Sequence, residues 1–201
     1  MRRLLILFAA LAVCASVKAQ IYDGITQPTK YRLWLSITQP TEGGGSVVVS
    51  PFMGYKYEAA QWFSVTPVLQ YNFTTSAFSP QVWLNFNVRQ RLYILSRSIY
   101  DGATNEYRHT LSATVKLPLN FMVDATWENL FNGRRFVDGD RAQVVAGFAD
   151  KWVVVNAGYS FRAHRGFIAN IRFKVTDYNW LQLKYDGGLK VAVIGIALQF
   201  N

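Results

Sequence analysis

From residue 61 to 74 the chain alternates almost without interruption. Phe63, Val65, Pro67, Leu69, Tyr71 and Phe73 take one parity, and Ser64, Thr66, Gln70 and Asn72 the other. A period of two sends successive side chains to opposite faces of a strand, so this segment has one apolar and one polar surface. The period recurs nearly to the last residue. Apolar rows run through residues 31–37, 47–55, 82–88, 111–117, 123–127, 153–161, 167–175, 181–185 and 192–200, interleaved with polar or small residues. Residues 92–97 and 143–148 are shorter and less regular. The rows predict an all-β, antiparallel transmembrane β-barrel of about twelve strands, with ten or eight as alternatives. Pro51 and Pro67 interrupt two rows. Their spacing about Ala59 predicts that a tight hairpin sets them opposite each other, as a weak seam or as tolerated bulges.

The first nineteen residues read as a targeting segment. Arg2 and Arg3 precede an apolar stretch, residues 4–13, too short to span a bilayer as a helix. Val17-Lys18-Ala19 then supplies the small or apolar residues of a cleavage site, giving a signal peptide 1–19 and one barrel domain 20–201. Leu11-Ala12-Val13-Cys14 offers a second possibility, a lipobox with Cys14 as the lipid-bearing N-terminus. Cleavage after Ala19 removes the single cysteine, and with it any disulfide or thiolate metal site. The chain is basic, with 21 Lys and Arg against 12 Asp and Glu, and it stays basic without Arg2, Arg3 and Lys18. Those charges are scattered, which argues against nucleic acid and suggests lipopolysaccharide phosphates as the anionic partner.

Loop lengths predict sidedness. If the chain starts on the periplasmic side, short connections fall near Ala59, Gln90, Leu119, Asp150 and Asp177. The longer ones, residues 39–45, 75–80, 97–107 and 131–142, fall on the other side. Trp62, Trp152 and Trp180 stand just after short turns, while Tyr71, Phe73, Tyr159, Phe161 and Tyr185 stand at the opposite ends, as interfacial girdles require. The three tryptophans carry the inward parity, so each either swings out at its turn or plugs the lumen. The closing row, Ala192, Ile194, Ile196, Leu198 and Phe200, resembles the last strand of Gram-negative outer-membrane β-barrel proteins, here followed by Asn201. That resemblance implies an outer-membrane location and Phe200 as an assembly signal read by the barrel-assembly machinery.

The polar parity places Arg89, Lys116, Arg162, Arg172, Lys174 and Lys184, with Asp124, Glu128 and Asp186, toward a lumen. They either pair across strands and fill it, or line a narrow passage whose basic excess favours anions. Arg134, Arg135, Arg141 and Arg165 are expected on external loops, where bidentate pairing with lipid phosphates is chemically sensible. Asp138-Gly139-Asp140 lacks the further ligands of a calcium loop and reads as a solvated turn. No cofactor, metal or catalytic set is expected. Residues 108–112 resemble the His-x-Ser motif of lipid A deacylases, but Ser112 is one residue too far and faces away from His109. His109 and His164 read as rim residues. The sequence therefore points to a non-catalytic outer-membrane barrel, a small pore or structural protein in contact with lipid and lipopolysaccharide. A docking barrel for an envelope, secretion or polysaccharide-export protein is the alternative, and a lipid A-modifying enzyme the remote one.

Overall fold

A computed structural model of the protein describes residues 30–42, 45–88, 91–131, 141–176 and 179–200. The expected signal peptide 1–19, Cys14, Arg89, Arg134, Arg135 and the Asp138-Gly139-Asp140 segment lie outside the described residues. Thirteen segments form one antiparallel sheet. They are β1 (Tyr31–Pro40), β2 (Val48–Tyr55), β3 (Tyr57–Ala60), β4 (Phe63–Asn72), β5 (Ala77–Val88), β6 (Leu92–Asp101) and β7 (Glu106–Lys116). The remainder are β8 (Phe121–Phe131), β9 (Arg141–Ala149), β10 (Val153–Arg162), β11 (Gly166–Lys174), β12 (Trp180–Asp186) and β13 (Val191–Phe200). β1 pairs with β2 on one side and β13 on the other, and β2 also pairs with β4, so the sheet closes on itself. β2 and β3 are two parts of one spanning strand, separated at Lys56. The result is a closed twelve-stranded barrel. Closure leaves no unpaired strand edge, the condition for a sheet to stand in hydrocarbon.

The burial pattern is the reverse of a soluble core. Leu33, Leu35, Ile37, Leu183, Ile194, Ile196 and Leu198 are exposed on the outer wall, while Ser64, Thr66, Asn85, Thr110, Asn156, Ser160, Asn170 and Gln182 are buried inside. Period two accounts for both sets, because each strand gives alternate residues to lipid and to the interior. Met122, Ala149 and Val154 form a small apolar cluster within the described interior. It lies beside the turns that also flank both termini, here called the termini end.

The strands extend further than their sequence rows. β6 runs on to Asp101 and β5 begins at Ala77, so the expected loops 75–80 and 97–107 shrink to turns 73–76 and 102–105. The length difference between the two ends therefore rests on residues 41–47 and on the connection from Phe131 to Arg141, both at the loop end.

Pro51 and Pro67 are not opposite each other. The register pairs Gly54 with Val68 and Tyr57 with Val65, which sets Pro67 across from Tyr55 and Pro51 across from Tyr71. Phe73 N–H donates to the Val49 carbonyl at 3.1 Å. Antiparallel pairing then turns the N–H of odd-numbered residues of both strands toward this seam. Both prolines thus remove a donor from the same seam, at staggered positions. The strand is interrupted at Lys56, whose N–H continues the pairing with β1 by donating to the Lys30 carbonyl at 2.7 Å, and a register shift against β4 follows between Glu58 and Ala60. Two missing donors and a bulge thus fall at separate points along the same seam of the wall.

Candidate functional site

Closing the sheet encloses an interior whose described wall is polar and cationic. At the loop end, Arg141 opens β9 with a side chain that is 3% exposed. It reaches past β10, where its Nε donates to Ser160 Oγ at 2.8 Å, and meets Asp186 Oδ1 on β12 at 2.5 Å. Lys184 Nζ stands 3.3 Å from the other oxygen of Asp186. The same carboxylate accepts the Leu189 N–H at 3.1 Å and so ties down the 187–190 turn. Arg97 on β6 lies in coulombic range of Lys184. Arg108 pairs with Glu128 at 3.5 Å, and Glu128 is the register partner of Arg141. Two carboxylates here meet four cationic groups, so the loop end of the lumen is positive and held by side chains that bridge between strands.

Toward the termini end the character changes. Trp34 stacks on Phe52 at 5.3 Å and 18°, and meets Trp180 edge-on at 4.7 Å; Phe52 in turn meets Trp83 edge-on at 6.0 Å. The Arg172 guanidinium lies over the Trp180 ring at 4.2 Å. Such contacts contribute about 0.5–1.5 kcal/mol each beyond burial. Small residues on β13 make room for the rings. A Cβ on Gly195 would stand 3.1 Å from Trp34 Nε1, and Ala197 is buried between Trp34 and Trp180 in the register. Trp34, Phe52 and Trp83 are only half-buried, so their faces line the interior. Arg32 and Lys56 are buried on the same wall, Lys56 paired with Glu58.

The residues singled out from the sequence fall as follows. Arg172, Lys184, Asp124, Glu128 and Asp186 have side chains of inward parity within their strands, and Lys116 and Lys174 are the last residues of β7 and β11 at the termini end. Asp124 accepts hydroxyl hydrogen bonds from Ser112, Thr114 and Thr126, each at 2.7 Å. Arg162 ends β10 in the left-handed region (φ 64°) and is exposed, which places it at the rim rather than within the lumen. Arg165 is exposed in the adjoining turn, its Nε on the Arg162 carbonyl at 3.3 Å. Arg141 is the correction: its side chain is buried inside, not presented on an external loop. It follows directly after the 132–140 connection, and weak alternation in β9 hid where that strand begins. Arg97, Arg32, Lys56 and the lumen aromatics were missed, though the inward parity of Trp34, Phe52 and Trp83 was readable in the sequence.

The tryptophans divide. Trp62 and Trp152, 60% and 62% exposed, swing outward at the termini end, and Trp180, 7% exposed, plugs inward. The opposite girdle holds Tyr71 against Phe78 at 4.7 Å, Tyr159 against Phe161 at 5.2 Å and Tyr100 against Tyr107 at 5.1 Å. Phe200 stacks on Tyr31 at 5.7 Å across the seam that closes the barrel.

A closed twelve-stranded antiparallel barrel with a polar interior and an apolar, aromatic-banded exterior is the architecture of outer-membrane porins. No protein-family model and no curated protein sequence matches the chain. Solved structures do. The KdgM porin superimposes with a TM-score of 0.58 at 9% identity, over 85% of this chain and 98% of that one. The NanC porin does so with a TM-score of 0.55 at 6% identity, over 85% and 99%. KdgM has also been solved in complex with disordered oligogalacturonate, a structure similar to this chain with a TM-score of 0.58 at 8% identity, over 85% of this chain and 98% of that one. At these identities the likeness is one of fold.

Proposed function

We propose that this protein is a small, non-catalytic pore of the bacterial outer membrane whose lumen favours anions, acidic oligosaccharides above all. In this reading residues 1–19 are removed on export and residues 20–201 form the barrel. The termini end is periplasmic and the loop end external. The barrel-assembly machinery reads the β13 strand through Phe200, and the exposed outer wall contacts the bilayer and lipopolysaccharide.

One observation carries the reading: cationic side chains and half-buried aromatic faces share one enclosed wall. Guanidinium groups recognise carboxylates through paired hydrogen bonds. Aromatic faces suit the C–H faces of sugar rings, much as they suit other apolar surfaces. Together they match a chain of uronic acids better than a small inorganic ion, and oligogalacturonate is what KdgM was solved with.

Planar-bilayer recording tests this. The purified barrel is expected to conduct, to show anion selectivity under a salt gradient, and to have its current interrupted by oligogalacturonate but not by a neutral maltooligosaccharide. Trp34→Ala is expected to shorten those interruptions while leaving the salt conductance intact. Equal block by both sugars would remove the acidic-sugar reading, and closure at all voltages would remove the pore.

A further inference from the structure

A polar row crosses the lipid-facing wall. Ser98 on β6, His109 on β7 and Asn129 on β8 are consecutive register partners, Ser98↔His109↔Asn129. His109 and Asn129 share the parity of the lipid-facing Leu111 and Trp127. Ser98 Oγ and His109 Nδ1 are 3.0 Å apart. Asn129 is 6% exposed, and its buried Oδ1 has no hydrogen-bond partner. These residues border a groove of about 540 Å³ lined also by Ile99, Tyr107, Arg108 and Trp127, its Arg108 being the group that pairs with Glu128. An unpartnered amide oxygen in an apolar groove is costly, on the order of 1–3 kcal/mol, unless something brings it a donor.

Depth limits what that is. The next pair toward the loop end is Tyr100↔Tyr107, rings 5.1 Å apart and tilted by 50°, and the next toward the barrel middle is Leu111↔Trp127. Tyrosines of a girdle mark headgroup level. The row therefore lies one step below, where a lipid headgroup joins its acyl chains. A hydrocarbon chain carries no donor there, and neither does a glycerol ester. A hydroxyacyl chain amide-linked to a sugar carries both an O–H and an N–H.

We propose that this groove binds an outer-leaflet glycolipid of the lipid A class, with Asn129 Oδ1 accepting from its hydroxyl or amide N–H and the Ser98–His109 pair meeting its polar linkage. Glu128, next to Asn129, has the inward parity and bonds Arg108 rather than the His109 ring. The inference uses the membrane orientation given above but not the pore.

Native mass spectrometry of the detergent-purified chain tests it, with hexa-acylated lipid A and dioleoylphosphatidylethanolamine as probes. Lipid A is expected to be retained at least tenfold over the phospholipid. Asn129→Leu is expected to lower lipid A retention about fivefold, the worth of one net hydrogen bond, without changing phospholipid retention. Heat-modifiable migration shows whether the variant barrel is folded, and its unaltered conductance separates this test from that of the pore. Equal retention of both lipids, or a folded Asn129→Leu barrel that holds lipid A like the parent, would overturn the proposal.

Discussion

Removing Asp186 should do more damage than any other single change to the lumen wall. Its carboxylate is 1% exposed and is shared by Arg141 at 2.5 Å, Lys184 at 3.3 Å and the Leu189 N–H at 3.1 Å. At that separation an ion pair in a medium of effective dielectric about 20 is worth roughly 6–7 kcal/mol of Coulomb energy, before the cost of desolvating both charges. Asp186→Ala leaves the Arg141 guanidinium buried without its counter-charge, and loss of one partner of a buried pair typically costs about 3–5 kcal/mol. Urea unfolding in detergent micelles, followed by tryptophan fluorescence and by gel migration, reads this directly. The double variant Asp186→Leu with Arg141→Met removes both charges and should recover most of the loss. Asp186→Ala within about 0.5 kcal/mol of the parent, or a double variant as unstable as the single, would refute the claim that the pair acts as a unit.

Other consequences follow from the wall. Pro51→Val and Pro67→Val each restore a donor to the β2–β4 seam and should stabilise the barrel by about 0.5–1.5 kcal/mol, with slower hydrogen exchange confined to that seam; unchanged exchange there would contradict the staggered register. Ile196 sits mid-strand on the lipid face, so Ile196→Arg should cost about 2–4 kcal/mol, whereas Ser36→Arg, of inward parity, should be tolerated by the same unfolding assay. Gly195→Leu puts side-chain atoms where the Trp34 ring lies and should shift lumen tryptophan emission; an unaltered spectrum would mean that Trp34 is not seated against β13.

What could be read from the sequence was the wall, and the places where reading failed have a physical cause. Strands such as β4 and β10 have one face in lipid and one in a polar interior, so their parity is unmistakable. β6 and β9 lose it because their inward faces are partly apolar: Tyr93, Leu95 and Ile99 in one, Val145, Gly147 and Ala149 in the other, the last packed on Met122 and Val154. That loss hid the start of β9 and made Arg141 look like a loop residue. Period two also says which face a side chain takes but not what it meets. Arg141 and Asp186 are 45 residues apart, and only the closed register brings them together. Ser98, His109 and Asn129 likewise form a row only through cross-strand pairing. Trp62 and Trp152 escape their parity because a turn, unlike a strand, does not fix the side-chain direction.

The central claim is that the barrel encloses a passage and that its cationic wall selects what enters. Reversal potential across a planar bilayer with a tenfold potassium chloride gradient tests it most directly. The account predicts a potential of the sign for chloride permeation, reduced toward zero by Arg172→Glu with Lys184→Glu. A cation-selective potential, or a folded barrel that carries no current at all, would contradict it.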